Sequence, residues 1–340
     1  MKHWKGLLRV VVLSLALGAV LFVTRSSDIT IRDGEYIGVL AFSPTGNALA
    51  AATDRSLTIW TMPEKNTHVV VASNGGNRGY PHAAIVWSPD GRFIATDTPN
   101  YTLSIYDRAD GHLVQFSPTP HSDPITALAW STTDRIAIAY PNNAIEIWSP
   151  TTKSAMYYLQ PPSRPRPYKG MGVIRSVVFS PDGQILASGG ADGFVYLWSM
   201  KDGSLLATID AHKDTVNAVA ISLDGSLLAS ASNDHTVCLW HVPNGMLLHC
   251  LKEHKDNVNA VGFSPDGTRL VTGSGQEIYS GTESPDTRVL LWDVQTAMVV
   301  STIGTYPPAI AHLSFSPDGS TVDQVWVWWT DRLSWRHCAR

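Results

Sequence analysis

"AHKDTVNAVAISLDGSLLASASNDHTVCLWHV", residues 211–242, holds the pattern that decides the fold. An apolar run, Ala218 to Ile221, stops at Ser222-Leu223-Asp224-Gly225, a turn in which Asp bonds to nearby backbone and Gly tolerates positive φ. A second run, "LLASASND" (Leu227–Asp234), and a third, "TVCLW" (Thr236–Trp240), follow at strand length. A fourth, "MLLHCLKEH" (Met246–His254), comes after Pro243-Asn244-Gly245. Then the unit starts again, with His254 standing 42 residues after His212.

The same opening recurs along the chain: "VLAFSPTG" (Val39–Gly46), "AIVWSPDG" (Ala84–Gly91), "SVVFSPDG" (Ser176–Gly183), "AVGFSPDG" (Ala260–Gly267) and "HLSFSPDG" (His312–Gly319). "ALAWSTTD" (Ala127–Asp134) keeps the strand but not the Pro and Gly. Third runs end on Trp60, Tyr106, Trp148, Trp198, Trp240 and Trp292, and six residues before each stands Asp54, Asn100, Asn142, Asp192, Asp234 or Asp286. Four strands per unit, repeated radially, predict an all-β, seven-bladed β-propeller of four-stranded antiparallel blades.

The seventh unit departs from its own pattern. In "SFSPDGSTVDQVWVWW" (Ser314–Trp329), Asp323 stands six residues before Trp329, but Phe315 to Asp323 is 8 residues where Ile221 to Asp234 is 13. Either the last blade has lost part of its second strand, or the end of the gene is truncated or frame-shifted. "DITIR" (Asp28–Arg32) is expected to close this incomplete blade by pairing the two ends of the chain, which removes open sheet edges. The expected division is a leading segment over 1–27, the propeller over 28–330 and an irregular tail over 331–340.

Residues 1–25, "MKHWKGLLRVVVLSLALGAVLFVTR", have a basic start and then a run from Leu7 to Val23 without a charge except Arg9. Such a run predicts an N-terminal hydrophobic helix of about 25 Å at about 1.5 Å per residue, a signal anchor or a signal peptide. The basic flank would hold the propeller on the extracytoplasmic side, membrane-anchored or secreted after cleavage. In the rest of the chain, 44% hydrophobic and 16% charged residues support a well-buried core. A formal charge of −4 gives no footprint for a polyanion, so no nucleic-acid partner is expected. Three cysteines do not make a disulfide framework.

Over roughly Asp28 to Trp329 the chain resembles the WD-repeat family, most closely in Ala211–Val242 and in "EHKDNVNAVGFSPDG" (Glu253–Gly267). His212 and His254 occupy the family's Gly-His position with Ala211 and Glu253 in place of the Gly, and Trp-Asp survives at Trp292-Asp293. The resemblance implies a buried hydrogen-bonded tetrad of His212, Ser230, Asp234 and Trp240, and a second of His254, Thr272, Asp286 and Trp292. The same His, Ser and Asp could be read as a hydrolase set, but Ser230 lies inside a strand and no Gly-x-Ser-x-Gly elbow exists. Cys238, His241, His249, Cys250 and His254 crowd together, yet strand alternation sends His249 and Cys250 to opposite faces, so no metal site is expected. A register pivoting on Pro243-Asn244-Gly245 sets Cys238 near Cys250, as two small buried residues or, outside the cell, as a bridge.

Connections are stretched in three places. Trp198, Trp240 and Trp292 each stand 23 residues before the next first-strand aromatic or its substitute, Ile221, Phe263 and Phe315, but Trp60 to Trp87 is 27 and Trp148 to Phe179 is 31. Within unit 6, Phe263 to Trp292 is 29 where Ile221 to Trp240 is 19. The added residues include Arg78, Tyr80, Arg164, Arg166, Tyr168, Lys169, Glu277, Tyr279 and Glu283, candidates for partner binding because Arg and aromatic side chains anchor interfaces. In a propeller like this family's, these connections open on one face. The expected function is a non-catalytic protein-interaction scaffold close to a membrane, with no cofactor and no small-molecule substrate. The competing readings are a propeller enzyme, with inward acids, His or metal ligands in its channel, and a glycan- or nucleic-acid-binding module.

Overall fold

A computed structural model describes residues 20–23, 28–32, 37–53, 56–61, 68–72, 84–98, 101–116, 123–162, 173–275, 286–305, 309–315, 319, 321–328 and 332–339. Its core follows from a simple constraint: a short antiparallel sheet with apolar residues on both faces must cover both. Here each face is covered by the next sheet. Apolar clusters join blades in successive pairs, as where Leu239, Val237 and Ala229 of blade 5 meet Val258, Leu270 and Leu290 of blade 6. Blades 3 and 4 share Ile145, Ile147, Val177 and Leu186, and blades 4 and 5 share Leu197, Ile209, Val216 and Leu228.

Six regular four-stranded blades result, each with its strands in sequence order from the channel outward. Blade 1 begins with Ile37–Phe42, blade 2 with Ile85–Trp87, blade 3 with Ala127–Trp130, blade 4 with Ile174–Phe179, blade 5 with Val216–Ile221 and blade 6 with Val258–Phe263. These first strands are neighbours around the channel, from blade 1 to blade 6.

The expectation of seven four-stranded blades behind an N-terminal helix is overturned on both counts. The remaining strands form a sheet of five, in the order Val20–Val23, Asp28–Arg32, Arg332–Ala339, Thr321–Trp328, Ala309–Phe315. Thr321–Trp328 follows the turn at Gly319 directly and pairs with Ala309–Phe315, Phe315 opposite Val322 and Ala309 opposite Val327. It is therefore a second strand, whereas the Asp-to-Trp spacing had marked it as a third. Arg332–Ala339, which matches no repeat unit, is the strand beyond it, and Asp28–Arg32 pairs with that strand, Ile29 opposite Trp335.

Val20–Val23, inside the segment expected to be helical, is a strand paired with Asp28–Arg32. No helix among the described residues is long and apolar enough to cross a membrane. The membrane-anchored or secreted propeller, with a transmembrane helix or signal anchor placing it on the extracytoplasmic side, is corrected accordingly.

The turns between first and second strands work as their sequence requires. In Ser180-Pro181-Asp182-Gly183 the Gly183 N–H donates to the Ser180 carbonyl at 2.8 Å, and Ser180 Oγ donates to Asp182 Oδ1 at 2.5 Å. That carboxylate also accepts from the Gln184 N–H at 3.0 Å, so it is held below the usual carboxylate range, first by the serine hydroxyl. Gly183 has φ +67° and Gly267 has φ +69°, both in the left-handed region. They differ in surroundings. A Cβ at Gly183 would stand 2.4 Å from Thr133 Oγ1 and 2.5 Å from Ser131 Oγ in the neighbouring blade, while one at Gly267 would meet nothing within 4 Å. Gly267→Ala should therefore cost only the backbone penalty of about 1–2 kcal/mol. Gly183→Ala should cost measurably more, and urea unfolding midpoints of the two variants check the order.

Candidate functional site

Two polar networks and one channel are candidates for function. In blade 5 the second strand, Leu227–Ser232, carries Ser230, the third, Val237–His241, carries Trp240, and the turn between them carries Asp234. His212 enters from the connection preceding the first strand. Its Nδ1 lies 3.1 Å from Asp234 Oδ2 and its Nε2 lies 2.7 Å from Ser230 Oγ. Trp240 Nε1 donates to the same Ser230 Oγ at 2.9 Å. The proton order follows: with Nδ1–H donating to the carboxylate, the neutral ring's Nε2 accepts the serine hydroxyl, and the serine oxygen accepts the indole N–H. Every group is used in one direction.

Blade 6 repeats the arrangement with Thr272 for the serine. His254 Nε2 lies 2.7 Å from Thr272 Oγ1, Trp292 Nε1 donates to that oxygen at 2.8 Å, and His254 Nδ1 lies 3.4 Å from Asp286 Oδ2. The longer histidine contact is accompanied by a guanidinium: Arg288 donates to Asp286 through Nε at 2.8 Å and Nη2 at 2.9 Å. Blade 4 keeps half of the set. Trp198 Nε1 donates to Ser188 Oγ at 3.1 Å, and Tyr196 Oη donates to Asp192 Oδ2 at 2.8 Å.

Electrostatics at these sites is that of held anions. Burial alone would raise the pKa of Asp234, but hydrogen bonds from His212, Thr236 and the Lys213 N–H outweigh it and keep the carboxyl far below the usual range. Asp286 behaves alike, with burial opposed by Arg288, His254 and the Lys255 N–H. Ser230 is 0% exposed, so no substrate atom reaches its Oγ. Cys238 and Cys250 face each other across the third and fourth strands of blade 5 and form a disulfide with Cα atoms 4.1 Å apart. Among the described residues no group of three or more His, Cys, Asp or Glu side chains could hold a metal ion.

The channel between the first strands encloses a cavity of about 630 Å³. Val177, Val219, Val261 and Leu313 give it apolar walls, while Thr126, Arg175, Asn217 and Asn259 give it polar groups. The sequence reading did not single these four out. Their signal was nonetheless there: each stands four residues before the residue that ends its first strand, Trp130, Phe179, Ile221 or Phe263. The stretched-connection residues Arg78, Tyr80, Arg164, Arg166, Tyr168, Lys169, Glu277, Tyr279 and Glu283 lie outside the described residues.

Radial four-stranded blades around a channel define a β-propeller. The family model "WD domain, G-beta repeat" matches residues 29–61, 166–199, 203–241 and 245–293, and the chain belongs to the WD-repeat family. It is similar to Cell division cycle 20.1, cofactor of APC complex, of Arabidopsis thaliana, 26% identical over 55% of this chain and 40% of that protein. It is also similar to COMPASS component SWD3 of Saccharomyces cerevisiae, 28% identical over 51% of each. The matched region spans about half or less of the length of these curated relatives. A chain in a crystal structure of the mitotic checkpoint complex superposes with a TM-score of 0.76 at 21% identity, over 97% of this chain and 98% of that one, a likeness of fold.

A pH test follows from the held carboxylates. Because the folded pKa of Asp286 lies below the unfolded value of about 3.9, its contribution is complete above that pH and is lost as pH falls through the folded value. Asp286→Asn should cost about 3 kcal/mol at pH 7, and the gap from wild type should narrow between about pH 4 and pH 2. Urea unfolding at pH 7, 4 and 2.5 measures both.

Proposed function

We propose that the chain is a non-catalytic protein-interaction scaffold, and that its partner engages the end of the propeller where the innermost strands begin. One observation carries this reading: the three stretched connections join strand ends at that single end. Residues 73–83 and 163–172 lead into the first strands of blades 2 and 4, and residues 276–285 link the second and third strands of blade 6. In an antiparallel blade those two kinds of connection share an end, opposite the Ser-Pro-Asp-Gly turns. Arg78, Tyr80, Arg164, Arg166, Tyr168 and Tyr279 are of the types that anchor interfaces, and Lys169, Glu277 and Glu283 add charge to the same connections. The names of the relatives support an assembly role, one being a cofactor of the APC complex and the other a COMPASS component.

Affinity capture with the tagged full chain tests the face. The triple change Arg164→Ala, Arg166→Ala and Tyr168→Ala should reduce the captured partners about tenfold or more. Leu223→Ser and Lys201→Ala, in exposed turns at the other end, should leave them unchanged. The reverse pattern contradicts the assignment.

A further inference from the structure

The innermost strands share a defect that the repeat pattern does not announce. In five of them the antiparallel register slips by one residue at the fourth position before the strand's last residue: Gly38, Arg175, Asn217, Asn259 and Ala311. Each is the extra residue of a β-bulge, a device that bends the strand and re-aims a side chain. Thr126 holds the same position in blade 3, just before Ala127–Trp130. These positions, five bulged residues and Thr126, thus gather around the end of the channel where the first strands begin. Those in blades 3 to 6, Thr126, Arg175, Asn217 and Asn259, line the cavity.

Two of these side chains are already committed. Asn217 Nδ2 donates to Asn233 Oδ1 at 2.6 Å and to the Val258 carbonyl at 3.1 Å, and Asn259 Nδ2 donates to the Gly275 carbonyl at 2.6 Å. They lock neighbouring strands together. Arg175 does not: it is exposed and has no hydrogen-bond or ion-pair partner among the described residues. It is the only charged side chain among the described residues lining the cavity. In the adjoining blade, Thr126 Oγ1 is buried without a hydrogen-bond partner among the described residues.

A guanidinium fork without a partner among the described residues, over apolar walls, is a receptor for a planar anion. A single cation balances one negative charge, which fits a carboxylate and leaves a phosphate dianion half neutralised. We propose that this end of the channel binds a carboxylate of the protein partner, an Asp or Glu side chain or a chain terminus, with Arg175 as its fork. The inference rests on the scaffold reading and deepens it by naming the group that enters the channel.

The test uses the full chain and an array of acidic decapeptides paired with their Asn and Gln counterparts, with glutarate as a free small acid, all read by titration calorimetry. Wild type should bind acidic members and discriminate against the neutral ones. Arg175→Gln should weaken that binding about tenfold or more, and Arg175→Lys should retain part of it. Since Arg175 has no partner among the described residues, its variants should keep the wild-type melting temperature within about 2 °C. Equal binding of acidic peptides by wild type and Arg175→Gln, no binding of any acidic peptide, or binding of glutarate alone overturns the proposal. Partner capture separates the two readings. Capture that is undiminished in Arg175→Gln sinks the carboxylate while leaving the scaffold standing, whereas no partner captured by wild type sinks the scaffold.

Discussion

Everything in this molecule depends on each small sheet burying both of its faces against its neighbours. A blade of four short strands presents apolar side chains above and below, as where Ile145 and Ile147 of blade 3 pack toward blade 4 and Ile136 and Ile138 toward blade 2. Water on either face would cost about 25 cal/mol per Å² of exposed apolar surface. Stacking radially satisfies that demand, and the geometry leaves the first strands crowded around an axis. The channel is what remains where the sheets can approach no further.

Buried polar groups in such a stack must be satisfied locally, because the neighbouring blade offers mostly hydrocarbon. The tetrads do this with one carboxylate, one imidazole, one hydroxyl and one indole in each of blades 5 and 6. Blade 4 keeps the hydroxyl–indole bond and lets Tyr196 serve Asp192. These networks tie second strand to third and to the connection ahead of the first. They are geometry-holding devices, and the bulged residues at the strand starts are held by the frame they maintain.

Much of this was legible in the sequence, for physical reasons that differ by element. The Ser-Pro-Asp-Gly turns were readable because the chemistry is local: Ser180, Asp182 and Gly183 complete their own hydrogen bonds. The third-strand aromatics were readable because a buried indole recurs at a fixed offset from its Asp. The last sheet was misread for the converse reason. Asp323 and Trp329 keep the spacing by which a third strand is recognised, yet Thr321–Trp328 pairs as a second strand because it directly follows the turn. An apolar run such as Val20–Val23 carries no period that separates a helix from a strand, and pairing with Asp28–Arg32 decided it. The polar positions at the channel end were overlooked because their residues differ in type, Thr126, Arg175, Asn217 and Asn259, and only their common offset unites them.

Hydrogen–deuterium exchange on the full chain, with and without a captured partner, bears most directly on the scaffold reading and its orientation. Protection is expected at the starts of the first strands, around residues 173–176, 216–218 and 258–260. Protection confined to the opposite turns, around residues 181–183, 223–225 and 265–267, would contradict it.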